Sequence, residues 1–119
     1  MTTIALGAEN FEATVAEHEI VLVDFWASWC GPCRQFAPVY ERASEAHPDI
    51  TFGKVDTEAE PALSAAAKIS SIPTLMAFKH GVLVFSQAGA LPAASLEQLI
   101  TAVVEFDVDK AVAAQEKSA

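Results

Sequence analysis

Ile20-Val21-Leu22-Val23-Asp24-Phe25-Trp26-Ala27 is apolar on both alternating faces except at Asp24. A strand with water on one side alternates polar and apolar residues. One that is apolar on both sides must be covered on both, as in the parallel part of an α/β sheet. The chain must therefore supply helices for two faces of a sheet. Its 119 residues suffice for one domain whose core needs neither metal nor disulfide support.

The segments around this run meet that demand. Gly7 to His18 holds Phe11 and Val15 four residues apart behind Glu9, Asn10 and Glu12, which fits a short amphipathic helix with acids near its positive end. Arg34 to His47 carries Phe36, Val39, Tyr40, Ala43 and Ala46 at helical spacing, with a kink expected at Pro38. Ile50 to Val55 reads as a second core strand. A helix with Pro61 in its first turn follows, its buried face drawn from Leu63, Ala66, Ala67 and Ile69. Thr74 to Lys79 and Val82 to Ser86 form a hairpin across His80-Gly81. Pro92 opens a last helix that turns Leu96, Leu99, Ile100, Val103 and Val104 inward. The expected order is helix-strand-helix-strand-helix-strand-strand-helix, giving a mixed sheet with helices on both faces. Residues 1–106 form the domain, and 107–119 an extension of a short helix and tail with Asp107 as its cap.

Phe11, Phe25 and Phe78 read as core, and Trp26 as support beside the turn that follows its strand. The charge balance excludes some partners. Seven basic residues against sixteen acidic ones give a net charge of −9, the wrong sign for nucleic acid or an anionic membrane surface. No uncharged stretch is long enough to span a bilayer, and Met1-Thr2-Thr3-Ile4-Ala5-Leu6 lacks the basic and apolar regions of a signal peptide. The default location is the cytoplasm, unless a leader has already been removed.

Chemistry concentrates at the end of the first strand. Trp26-Ala27-Ser28-Trp29-Cys30-Gly31-Pro32-Cys33 contains both cysteines of the chain, at a strand-to-helix junction. A structural disulfide across so short a loop would constrain the unfolded chain by only about 2 kcal/mol. A closed zinc site needs four ligands, and His18, His47 and His80 are far apart in sequence. Redox chemistry accounts for more. A helix N-terminus stabilises a thiolate on the first cysteine through unpaired N–H groups and the helix dipole. Gly31 permits the tight turn and Pro32 fixes a φ suited to a first helical turn. Cys30, expected to be the exposed sulfur, would attack a substrate disulfide, and Cys33 would resolve the mixed disulfide. Asp24 admits two readings that the residues leave even: an acid with its hydrogen bonds met in the core, or a desolvated carboxyl whose raised pKa makes it a proton acceptor near neutral pH.

Trp29-Cys30-Gly31-Pro32-Cys33 after Val23-Asp24-Phe25-Trp26-Ala27, with Ile72-Pro73-Thr74 downstream, resembles the thioredoxin family from about Phe11 to Val104. The resemblance implies the thioredoxin fold, a mixed central sheet flanked by helices, and general protein-disulfide reductase activity that maintains thiol redox balance. It also implies that Asp24 deprotonates Cys33 through water and that Lys54 pairs with Asp24 beneath the disulfide. A strand lysine reaching solvent remains the alternative for Lys54. Pro73, which on residues alone is ordinary punctuation with a trans bond, becomes a cis-proline facing the cysteines and shielding them from metal ions. Trp29, Gly31, Pro32, Ile72, Pro73, Gly89 and Ala90 would form an apolar docking patch, with the Ile72 backbone pairing an extended substrate. Ser70-Ser71 and the chain beyond Val104 depart from the family pattern. The resemblance further implies a monomer without bound cofactor or metal, recharged by an NADPH-dependent flavoprotein thioredoxin reductase. Two other readings stay open. One is a disulfide isomerase or oxidase of the same fold, which Gly31-Pro32 disfavours; the other is a binding module that does not use its thiols.

Overall fold

The computed structural model describes residues 2–118. It contains β1 (Thr3–Ala5), α1 (Phe11–Glu17), β2 (Ile20–Trp26), α2 (Gly31–Ala46), β3 (Thr51–Asp56), α3 (Pro61–Ala66), β4 (Thr74–Lys79), β5 (Val82–Ala88), α4 (Ala93–Glu105) and α5 (Val108–Ser118). The sheet order is β1-β3-β2-β4-β5. The β1–β3 and β3–β2 pairs are parallel, and β2–β4 and β4–β5 are antiparallel. The mixed sheet expected from the sequence is therefore present, with the doubly apolar run as its central strand.

Alternation along β2 divides the core. Ile20 and Leu22 pack with Phe36, Tyr40 and Ala43 of α2 and Leu96, Ile100 and Val103 of α4. Val21, Val23 and Phe25 pack on the opposite face with Phe11 and Val15 of α1 and with Leu63 of α3. The same two-residue period puts Asp24 on the face of α2 and α4, and Lys54 beside it through the Asp24–Lys54 register of β2 and β3. Opposite Asp24 on the other flank of β2 stands Leu75. At the hairpin, His80 and Gly81 have φ of 52° and 80°, the paired positive values that match a two-residue turn to strand twist.

Several expectations need correction. The sequence reading has no strand before the first helix, yet Thr3–Ala5 pairs with Phe52–Lys54. Three residues are too few to show alternation, and their extended form comes from the neighbouring strand. Helix α1 begins at Phe11, because Gly7 is held in a turn by its N–H to Asn10 Oδ1, 2.8 Å. Helix α2 begins at Gly31, not Arg34, and runs unbroken through Pro38. Ala46 and Ala66 are exposed, and Ser64, not Ala66, is buried in α3. Helix α3 stops before Ile69 because Lys68 takes a φ of 60°. Phe11 and Phe78 are only half-buried, meeting edge to face with ring centroids 5.9 Å apart. Val104 is 51% exposed, so the last turn of α4 presents it to solvent. That turn is fixed by Lys79, a buried lysine whose Nζ donates to the carbonyls of Val103, Val104 and Phe106 at 2.9, 2.7 and 2.7 Å. Asp107 does cap α5, through Lys110 N–H to its Oδ1 at 2.9 Å.

Candidate active site

Strand β2 hands the chain to α2 through a four-residue turn, and Cys30 closes that turn as the helix N-cap. Its backbone is extended, with φ −88° and ψ 113°, and its N–H donates to Ala27 O at 3.2 Å. In place of the usual capping oxygen, Cys30 Sγ accepts the Cys33 N–H, with N and S 3.2 Å apart. Gly31 and Pro32 occupy the first helical positions, where a missing N–H costs least. Cys30 and Cys33 stand at disulfide distance, with Cα atoms 5.2 Å apart.

Both sulfurs are covered. Cys30 is 4% exposed and Cys33 3%, so Cys30 is not the exposed cysteine that the sequence reading expects. Ala27, Trp26 and Ile72 pack around the pair and remove the difference in access. Their surroundings separate them instead. Cys30 Sγ lies 3.7 Å from Ile72 O. Cys33 lines a cleft of about 100 Å³ whose walls include Trp26, Ser28, Arg34 and Lys54.

The Ile72–Pro73 bond is cis. Pro73 is buried, and its carbonyl accepts the Gly89 N–H at 2.8 Å, which ties the start of β4 to the end of β5. Gly89 has a φ of +105°, a backbone conformation that side chains rarely adopt. Around Cys30, Trp29 is 64% exposed; Pro32, Gly89 and Ala90 are also exposed, and Gly31 and Ile72 are half-buried. The Trp29 indole is not loose, since its Nε1–H donates to Glu58 Oε1 at 2.9 Å.

Asp24 is 1% exposed, and neither carboxyl oxygen has a hydrogen-bond partner. Desolvation raises its pKa from 3.8 to about 7, against the opposing pull of the Lys54 ammonium. Neither oxygen is satisfied by another protein group, which is the arrangement the desolvated reading requires. Lys54 does not form the expected ion pair: among the described residues the ion pairs are His47–Glu97 and His80–Glu19. Its Nζ sits 5.1 Å from the centre of the Trp26 ring, where the aromatic face holds the cation. Lys54 therefore acts on Asp24 through space. Tyr40 adjoins the same carboxyl. Burial, then the Asp24 charge, keeps its phenol well above the ordinary range, and its O–H donates to Gly53 O at 2.8 Å.

The sequence reading missed Arg34 and Glu58. Arg34 has a signal in the sequence, a cation in the first turn of a helix where the dipole disfavours it. Glu58 has none, because its meeting with Trp29 depends on how the loop after β3 folds back. Among the described residues no group of three or more His, Cys, Asp or Glu is placed to hold a metal ion. Larger hollows of about 540 Å³ between α1, α3 and the hairpin, and about 350 Å³ beside β1, have no cysteine in their walls.

Comparison with known proteins agrees with this geometry. The thioredoxin family model matches residues 2–102. The chain is 56% identical over 121 residues to a putative thioredoxin 2 of Streptomyces coelicolor, covering 99% of this chain and 90% of that one. It is 41% identical to a thioredoxin of Alicyclobacillus acidocaldarius, covering 87% of this chain and 99% of that one. Among solved structures, a mutant thioredoxin from Halobacterium salinarum superposes with a TM-score of 0.81 at 29% identity, over 88% of this chain and 93% of that one. A Plasmodium falciparum thioredoxin gives 0.77 at 32% identity, over 88% and 99%. With a cysteine pair at disulfide distance on the N-terminus of α2 and relatives of this closeness, the chain belongs to the thioredoxin family of thiol–disulfide oxidoreductases.

Proposed function

We propose that this chain is a general protein-disulfide reductase in which Cys30 attacks and Cys33 resolves. The observation that carries the assignment is the Cys33 N–H donated to Cys30 Sγ at the N-cap of α2. Such a donor, with the positive end of the helix behind it, favours a thiolate on Cys30. That thiolate displaces one sulfur of a substrate disulfide, forming a mixed disulfide and releasing the other sulfur as a thiolate. Cys33 then attacks Cys30 Sγ, the mixed disulfide breaks, and the second substrate sulfur leaves as a thiolate. Two electrons pass to the substrate, and the protein is left with a Cys30–Cys33 disulfide.

Cys33 must lose a proton to attack. Asp24, with a pKa of about 7, is matched to accept it near neutral pH, with water in the cleft as the carrier. Lys54 tunes that carboxyl without bonding to it. Substrates dock on Trp29, Gly31, Pro32, Ile72, Pro73, Gly89 and Ala90, and an extended segment pairs with the Ile72 backbone. Residues 1–106 carry the activity, and 107–119 form the extension. No cofactor is bound; the pair itself carries the electrons, and an NADPH-dependent flavoprotein thioredoxin reductase restores them. The protein works as a cytoplasmic monomer.

Insulin-disulfide reduction tests this reading. With NADPH and a flavoprotein reductase, the wild type is expected to precipitate insulin chains, and the Cys30→Ser/Cys33→Ser double variant to be silent. Activity with dithiothreitol but with no flavoprotein reductase would remove the recharging step alone. Failure with both electron sources would remove the reductase reading.

A further inference from the structure

Arg34 sits in the first turn of α2, directly after Cys33, and a positive charge there opposes the helix dipole. It is one of seven basic residues in a chain of net charge −9, and among the described residues no carboxylate lies within ion-pair distance of it. Its Nη1 donates to Ser28 O at 2.9 Å, which holds the guanidinium across the mouth of the turn. Lys54, likewise without an ion pair, is held on Trp26. Both cations stand in the wall of the 100 Å³ cleft that reaches Cys33, and no carboxylate is part of that wall.

We propose that Arg34 is a positioning residue for the resolving step: with Lys54 it places positive charge across the solvent cleft of Cys33, and so favours the Cys33 thiolate that must attack the mixed disulfide. The proposal rests on the reading of Cys33 as the resolving cysteine. The charged and titratable groups about Cys33 are Lys54 from β3 and Arg34 from α2 in the wall of the cleft, Cys30 at the N-cap of α2, and Asp24 of β2 in register beside Lys54. Tyr40 of α2 stays neutral, and the segment of Ile72 and Pro73 brings a carbonyl but no charge. When Asp24 takes the proton of Cys33, the negative charge it gives up is replaced by the negative charge on sulfur, and the two cations remain to hold it. The product is the Cys30–Cys33 disulfide and a substrate thiolate, so no further reactant is needed.

The test compares Arg34→Gln with Arg34→Lys. In the reduced protein, Cys33 is labelled at 13Cβ and titrated by NMR. Release of thionitrobenzoate from a mixed disulfide preformed on Cys30 is followed by stopped flow. For Arg34→Gln the Cys33 titration is expected to move to higher pH and release near pH 7 to slow by about three- to tenfold, the size of one charge acting across a solvent-lined gap. Added salt should narrow the difference, and Arg34→Lys, which keeps the charge, should restore most of the rate. An unchanged Cys33 titration in Arg34→Gln, or an Arg34→Lys variant as slow as Arg34→Gln, overturns the proposal. Adduct trapping by Cys33→Ser is scored separately. Loss of trapping removes the resolving role of Cys33, whereas intact trapping with an unmoved titration removes Arg34 alone.

Discussion

Asp24→Asn isolates the cost of keeping a carboxylate in the core. Asp24 is 1% exposed with both oxygens unpartnered, and its folded-state pKa is about 7 against an ordinary 3.8. Because the folded value lies above the unfolded one, the native protein holds a proton that the unfolded chain has released. The stability this contributes is whole below pH 3.8 and is lost as pH rises through about 7. The gap of about 3 pKa units, at about 1.4 kcal/mol each, amounts to about 4 kcal/mol. Asparagine has nearly the same shape and never ionises, so any constant penalty for its own unpaired amide drops out of the pH dependence. Guanidinium unfolding of the oxidised protein from pH 4 to 9 gives the difference between variant and wild type. The expected difference grows in favour of the variant by about 1.4 kcal/mol per pH unit and levels off above pH 7, about 4 kcal/mol higher than at its acid end. A difference that stays flat between pH 5 and 7, or that shrinks, refutes the reasoning. It would mean that the carboxyl is solvated or paired in solution.

Two further perturbations test neighbouring parts of the account. Lys54→Met removes the cation that holds the Asp24 pKa down, so a carboxyl 13C titration of Asp24 should move above about 7, with the loss of stability moving to higher pH alongside it; an unmoved or lowered titration contradicts the through-space coupling. Lys79→Met leaves the carbonyls of Val103, Val104 and Phe106 without their shared donor, and urea unfolding should show a loss of about 2–4 kcal/mol; a loss below about 1 kcal/mol means that water replaces the ammonium at the end of α4.

Asp24 illustrates what a sequence can disclose. A lone acid in a run that is apolar on both faces has nowhere to go but the interior, so its burial is dictated by composition, whereas its lack of partners needs the fold. The element order was legible for a similar reason, since each helix and strand carries enough residues to display its period. Thr3–Ala5 does not, and its strand identity is conferred by β3. Cys30 looked exposed because a helix start usually is; Ile72, forty-two positions away, covers it, and that separation hides the contact. The Lys54 position was legible while its partner was not, because Trp26 and Asp24 are two residues apart on one strand and equally available to a flexible lysine. Lys79 is the converse case. A lysine closing a strand before a Gly-containing turn reads as solvated, and only the arrival of the α4 carbonyls makes its burial affordable. The cis bond before Pro73 came from family resemblance alone, since nothing in Ile72-Pro73 itself favours that isomer.

The proposed mechanism gives unequal roles to two sulfurs that are equally buried. The most direct measurement incubates reduced Cys33→Ser and Cys30→Ser variants with a disulfide-containing protein and counts covalent adducts by non-reducing electrophoresis and mass spectrometry. The account predicts a stable adduct through Cys30 in Cys33→Ser and none in Cys30→Ser. Equal trapping by both, or trapping only through Cys33, would contradict it.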